Sequence, residues 1–122
     1  MGRVEEFTLE GKDFVYIDLS DLTSEMDFIP VIEEAKSVIK KHAECSIYTI
    51  TNVENVRFDS NIKENTTDYM RFNKPYVKHG VIIGMDGIKK IMVKTIMKLS
   101  GRNNMDFCFT KEEGIKLLLN KN

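Results

Sequence analysis

The stretch from Lys74 to Phe109 constrains the fold of this chain more than any other. It reads KPYVKHGVIIGMDGIKKIMVKTIMKLSGRNNMDFCF, so an apolar run (GVIIG) precedes a glycine turn, an amphipathic segment and a second apolar run (MDFCF). Apolar runs without alternation are typical of strands that are covered on both faces, as in a parallel sheet. A strand, a helix and a second strand in this order predict a right-handed βαβ crossover, and therefore an α/β fold.

The other segments follow the same alternation. Two short strand-like runs flank Gly11 and Lys12 near the N-terminus and predict an antiparallel hairpin. The complete order, β-β-α-β-α-β-α-β-α, predicts a mostly parallel five-stranded sheet with four helices and with the first strand at or near an edge. The chain has 122 residues and contains no linker or repeat, so residues 1–122 are expected to form a single domain.

Local signals place the ends of the helices. Asp86 and Thr110 stand where side-chain N-caps are expected, and Gly101 is suited to the left-handed residue that ends a helix. Periodicity in the third helix predicts an inner stripe made of Ile88, Ile91, Met92, Thr95, Ile96 and Leu99. Its outer, solvated face is predicted to carry Lys90, Lys94, Lys98 and Arg102.

Charge is distributed unevenly along the chain, although the net charge is only −1. Residues 1–61 have a net charge of −7 and residues 62–122 a net charge of +6. Nucleic-acid-binding proteins show a dominant basic excess, which is missing here, so we expect no nucleic-acid partner. Two oppositely charged regions favour pairing with a protein partner, or pairing with each other inside the fold.

No segment has the length and apolarity of a membrane anchor. No apolar run approaches the roughly 20 residues that span a bilayer, and the N-terminal residues MGRVEEFTLEGKDF lack the apolar region of a signal peptide. We therefore expect no transmembrane segment and a cytoplasmic location. The two cysteines, Cys45 and Cys108, fall in separate apolar segments and are expected to be reduced thiols buried in the core.

Catalytic and cofactor-binding motifs are not recognisable. Gly80, Gly84 and Gly87 stand at a strand-to-helix turn, but they match neither GxGxxG nor a P-loop, and the Asp86 carboxylate would repel a phosphate at that cap. The chain has only two histidines and two cysteines, all in different predicted elements, which argues against a zinc site. No nucleophile is paired with a base. We therefore expect no enzymatic activity, no cofactor and no metal.

Two candidate sites remain. The first is the turn Asp59-Ser60-Asn61, where Ser60 begins a predicted helix, so that a phosphate on its hydroxyl would meet the helix dipole and add about two negative charges. The second is the carboxyl edge of the predicted sheet, where α/β proteins bind ligands. Its candidate residues are Asp21, Asn52, Gly84 and Asp86.

Three segments together resemble the stand-alone STAS-like or CRAL-TRIO-like domain proteins of bacteria, relatives of the anti-sigma factor antagonists. They are YIDLSDLTSEMDFIPVIEEAKSVI, IYTITNVENVRFDSNI and the stretch KPYVKHGVIIGMDGIKKIMVKTIMKLSGRNNMDFCFTKEEGIKLL. The resemblance implies a βα superhelix with a mostly parallel sheet. In anti-sigma factor antagonists a partner kinase phosphorylates a serine at the start of a helix, and the residue that matches it here is Ser60.

The resemblance and the charge pattern together predict a non-enzymatic regulatory or protein-interaction domain. Its partner surface would be the turn Asp59-Ser60-Asn61. The alternative is a protein that binds a small ligand or a lipid head group at the carboxyl edge of the sheet. The edge of the N-terminal hairpin also offers a place for a second copy to pair, which predicts a homodimer as a further option.

Overall fold

The fold is a five-stranded mixed sheet with four helices, described for residues 2–121 by a computed structural model. Its elements follow the predicted order β-β-α-β-α-β-α-β-α. They are β1 (Val4–Leu9), β2 (Lys12–Asp18), α1 (Glu25–Ile39), β3 (Ile47–Asn52), α2 (Ser60–Asn73), β4 (Val77–Ile83), α3 (Gly87–Ser100), β5 (Met105–Cys108) and α4 (Lys111–Leu119).

The strands lie in the sheet in the order in which they occur in the chain, β1-β2-β3-β4-β5. β1 and β2 pair antiparallel, and the three other pairs are parallel. The predicted N-terminal hairpin and the mostly parallel sheet are therefore confirmed. β1 forms one edge of the sheet, and its pairing with a second copy of the chain stays a prediction.

Two apolar cores cover the two faces of the sheet. The larger core packs α1, α2 and α3 against one face, with Phe28, Ile62 and Ile96 fully buried. The smaller core packs α4 against the other face, where Leu118 contacts the cluster around Tyr48. Three right-handed crossovers that advance in the same direction put their helices on the same side, which leaves α4 alone on the opposite face.

The helix termini have the predicted caps. Asp86 Oδ1 accepts a hydrogen bond from the Lys89 N–H at 2.9 Å, and Thr110 forms a reciprocal capping box with Glu113. α3 ends at Gly101 with a φ of 74°, a left-handed conformation that costs glycine little. The chain then turns back, and the Arg102 N–H donates to the Met97 carbonyl at 2.9 Å.

The buried face of α3 differs from the predicted one. Ile88, Ile91 and Leu99 are exposed by 78%, 68% and 53%, so the stripe predicted to face inward is largely in solvent. Ile96 is the one member of that stripe that is buried, as predicted, and Val93 and Ser100 face the core beside it. The helix carries two apolar stripes, and the surface formed by the sheet and α2 has room for only one of them.

Arg102 is also placed differently from the prediction. We expected it on the outer face of α3, but it is only 4% exposed. The reversal at Gly101 directs it back toward the sheet, where Nη1 donates to the Met70 carbonyl at 3.3 Å and Nε donates to Asn104 Oδ1 at 2.9 Å. Helical periodicity does not apply beyond the residue that ends the helix.

The expectation of two buried cysteines was wrong. Cys45 is exposed, and Cys108 is half-buried. Cys45 precedes β3 in a turn, with a φ of 53° and with its N–H donating to the Pro75 carbonyl. β3 begins two residues later, so its apolar run does not include Cys45. Within residues 2–121, no helix combines the length and the apolarity needed to cross a bilayer.

Candidate functional site at the carboxyl edge of the sheet

The two candidate sites of the sequence analysis lie at the same edge of the sheet. β2, β3, β4 and β5 are mutually parallel, so their carboxyl ends meet at one edge, and each of the four helices begins there. Asp21 follows β2, Asn52 ends β3, Ser60 begins α2, and Gly84 and Asp86 follow β4. We call this end of the domain the carboxyl edge.

Ser60 is the first residue of α2 and is exposed. Asp59 is the N-cap, and its Oδ1 accepts a hydrogen bond from the Ile62 N–H at 2.9 Å. Among residues 2–121, no side chain or backbone group bonds to the Ser60 hydroxyl. Asn61 is exposed as well. Since Asp59 performs the capping, Ser60 is not needed for this purpose, and its hydroxyl is free to react.

The charges around Ser60 have opposing effects on a phosphate. Lys63, one helical turn further along, lines the same open groove on α2 as Ser60, together with Leu99 of α3. Lys63 and the N-terminus of α2 would attract a phosphate on Ser60, whereas the neighbouring Asp59 carboxylate would repel it. A modification there changes the local charge by about two units without breaking any hydrogen bond of the fold.

The polar atoms of Asp21 and Asn52 already hold the loops of the carboxyl edge. Asp21 has a φ of 64°, and its Oδ1 accepts from Asn55 Nδ2 at 2.9 Å. Asn52 Oδ1 accepts from the Glu54 N–H at 3.0 Å, and Asn52 Nδ2 approaches the Tyr16 hydroxyl at 3.4 Å. Their contribution to a ligand site would require rearrangement of the loops.

Gly84 and Asp86 likewise have structural roles. Gly84 has a φ of 83°, and a Cβ added to it would lie 2.6 Å from Asn52 Oδ1. It therefore allows the loop after β4 to approach the loop after β3. Asp86 caps α3, as described above. In an open α/β sheet, the ligand crevice lies where the strand order reverses, and the sequential order β1 to β5 contains no reversal.

Metal ligands are not clustered in the part of the chain that the structure describes. Within residues 2–121, no three His, Cys, Asp or Glu side chains lie close enough to hold a metal ion. The carboxylates of the carboxyl edge are instead distributed over separate loops and helix caps.

Three exposed apolar side chains at the carboxyl edge were missed by the sequence analysis. Met26, Ile88 and Phe109 are exposed by 83%, 78% and 84%. Met26 and Ile88 are the second residues of α1 and α3, and Phe109 follows β5 directly. Large exposed apolar side chains that gather at one end of a domain are typical of interaction surfaces. The available signal was their position next to helix caps, where the first turn projects beyond the sheet.

Acidic side chains outnumber basic ones at the same end of the domain. Its exposed carboxylates belong to Asp21, Asp27, Glu54, Asp59, Asp86, Glu112 and Glu113, and its exposed basic side chains include Arg57 and Lys90. The carboxyl edge thus combines an apolar surface, an acidic rim and a free serine hydroxyl. No family model matches the chain, and a search of curated proteins gives no significant match.

Proposed function

We propose that this protein is a non-enzymatic regulatory domain of STAS-like type that acts in the cytoplasm, docks a protein partner at its carboxyl edge and is switched by phosphorylation of Ser60. The observation that carries the proposal is the free, exposed hydroxyl of Ser60 at an edge that also exposes Met26, Ile88 and Phe109. The resemblance of the segment around Ser60 to the phosphorylated turn of anti-sigma factor antagonists supports the same assignment.

The chemistry of the partner follows from that of the carboxyl edge. The partner should have apolar side chains opposite Met26, Ile88 and Phe109. Such side chains supply most of the binding free energy when they are buried at the centre of an interface. At the rim, the partner should have Lys or Arg side chains opposite Asp21, Glu54 and Asp86. Charge complementarity there increases the rate of association. The partner is therefore a protein surface with an apolar centre and a basic rim.

Phosphorylation of Ser60 is expected to weaken this complex. A covered phosphate would lose its hydration next to apolar side chains, and it would stand beside the Asp59 carboxylate. The ligand-binding alternative has less support, because an oxygen of each of Asp21, Asn52 and Asp86 already accepts a hydrogen bond from the loops of this edge or from the first turn of α3. The acidic rim also repels anionic head groups.

Affinity capture from the native host, with quantitative mass spectrometry, tests the proposal. We expect wild type and Ser60→Ala to capture the same partner in similar amounts. The amount captured by Ile88→Asp or by Ser60→Glu should be at least tenfold lower. Leu9→Asp is the matched control. Leu9 is 39% exposed and pairs with Lys12 at the start of β2, so it lies at the end of the strands opposite to the carboxyl edge. A partner that binds Ile88→Asp and Ser60→Glu as well as wild type would refute docking at the carboxyl edge.

A further inference from the structure

A cavity of about 30 Å³ lies in the larger core, between the sheet and the helices α2 and α3. Its walls include Ile82 of β4 and Val93 of α3, and three of its polar neighbours are Tyr69, Asn73 and Arg102. This volume accommodates one or two water molecules or a single small ion. None of the candidate site residues lines the cavity, although Val53 and Phe58, from the loop between β3 and α2, do.

Two buried polar atoms at the cavity have no hydrogen-bond partner among residues 2–121. They are Tyr69 Oη and Asn73 Oδ1, and their residues are only 3% and 4% exposed. Buried polar side-chain atoms in folded proteins nearly always have a partner, so an occupant of the cavity is the expected explanation. Burial raises the pKa of Tyr69 far above its usual range, so its hydroxyl is protonated and can donate.

Arg102 brings a positive charge to the same cavity. Its guanidinium donates to the Met70 carbonyl at 3.3 Å, to Asn104 Oδ1 at 2.9 Å and to the Met105 sulfur at 3.0 Å. All three acceptors are neutral, and within residues 2–121 no carboxylate lies within 4.0 Å of the guanidinium nitrogens. A guanidinium has five N–H groups, so these contacts leave two of them free.

The remaining polar groups of the cavity do not neutralise that charge. The other polar lining residues are Thr49, Thr51 and Thr66, and no Asp or Glu lines the cavity among the described residues. The Thr66 hydroxyl already donates to the Ile62 carbonyl at 2.7 Å. Burial without a counter-charge destabilises the charged form of Arg102 and lowers its pKa.

We propose that this cavity is a binding site for one small inorganic monoanion, of about the size of chloride, held between the guanidinium of Arg102 and the hydroxyl of Tyr69. Both groups donate hydrogen bonds, and a rotation of the Asn73 amide by about 180° presents a third donor, its NH₂ group. A water molecule can bond to the Tyr69 hydroxyl and the Asn73 amide, but it leaves the charge of Arg102 unbalanced. A monoanion accepts hydrogen bonds from both groups and also balances the charge of Arg102. Sulfate and phosphate are too large for the space.

Thermal unfolding of the full chain, at constant ionic strength, tests the proposal. In sodium chloride or bromide the midpoint Tm is expected to rise saturably, by about 5 °C at ten times the dissociation constant, relative to sodium gluconate. Tyr69→Phe keeps the ring that fills the core but removes the donor, and it is expected to reduce the halide dependence at least threefold. Arg71→Met is the control for loss of an arginine charge, and it is expected to keep the full halide dependence. Arg71 is exposed and lies on α2, the same helix as Tyr69.

Crystals grown in bromide provide a second measurement that needs no variant. An anomalous peak between Arg102 and Tyr69 would support the proposal directly. It is overturned if the cavity contains only water in bromide, or if Tyr69→Phe retains the full halide dependence. An equal halide effect in wild type, Tyr69→Phe and Arg102→Met would identify a general salt effect and would overturn it as well.

Discussion

Replacement of Gly84 by alanine is expected to destabilise the fold strongly, whereas the same change at Gly87 is not. Gly84 has a φ of 83°, and a Cβ there would lie 2.6 Å from Asn52 Oδ1 and 2.8 Å from the backbone nitrogen of Glu54. Gly87 is the first residue of α3, and a Cβ there would have no neighbour within 4 Å. The two glycines are three residues apart, so they form a matched pair.

The magnitude follows from two costs at Gly84. A left-handed conformation costs an alanine about 1–2 kcal/mol relative to glycine. Asn52 Oδ1 accepts from the Glu54 N–H at 3.0 Å, so its movement away from the new methyl group also removes a hydrogen bond worth about 1 kcal/mol. We expect Gly84→Ala to lose about 2–3 kcal/mol of a total stability of about 5–15 kcal/mol. Gly87→Ala should be neutral or up to about 1 kcal/mol more stable, because alanine favours helices.

Urea unfolding followed by far-ultraviolet circular dichroism measures both variants. The chain has no tryptophan, so the helical signal is a better probe than intrinsic fluorescence. The midpoint should fall for Gly84→Ala with an unchanged slope, since the same surface becomes exposed on unfolding. A Gly84→Ala protein within about 0.5 kcal/mol of Gly87→Ala would refute the reasoning, because neither the strain nor the close approach would then matter.

Two predictions concern pH. A hydrogen bond from His79 at 2.7 Å, together with Lys121, lowers the pKa of Asp106, so the ionised carboxylate stabilises the folded state. The advantage of wild type over Asp106→Asn in urea midpoint should therefore disappear as the pH falls below about 4, and a constant difference would contradict this role. Burial raises the pKa of Tyr69, so only the unfolded chain ionises this group near pH 10, and wild type should lose stability above that pH faster than Tyr69→Phe. If the urea midpoints of wild type and Tyr69→Phe fall equally between pH 9 and 11, Tyr69 does not contribute to the loss of stability at high pH.

The order of the elements could be predicted because it depends on local signals. Asp59, Asp86 and Thr110 precede helices in which their side chains accept the orphan N–H groups of the first turn, and no tertiary contact is needed for this preference. Gly101 ends α3 for an equally local reason. The α/β class follows from the alternation of these elements with apolar runs.

The surface of the site could not be predicted, because burial is decided by packing. Periodicity revealed apolar stripes on α3, but only the docked helix shows that Val93 is buried and Ile88 is exposed. Hydropathy alone favours burial of Met26 and Phe109, and only their positions next to helix caps indicated that they are exposed. Arg102 presents the reverse case, since a charged residue at the end of a basic helix turned out to be buried beside a cavity.

The strand order β1-β2-β3-β4-β5 has a consequence for how the sheet assembles. No strand has to enter between two that are already paired, so the sheet can assemble by adding each strand at the edge formed by the one before it. α4 contacts the start of the sheet: Lys12 Nζ of β2 donates to the carbonyls of Leu118 and Leu119, each at 3.0 Å. Because α4 follows all five strands in the chain, the second core can be completed only after every strand of the sheet has been made.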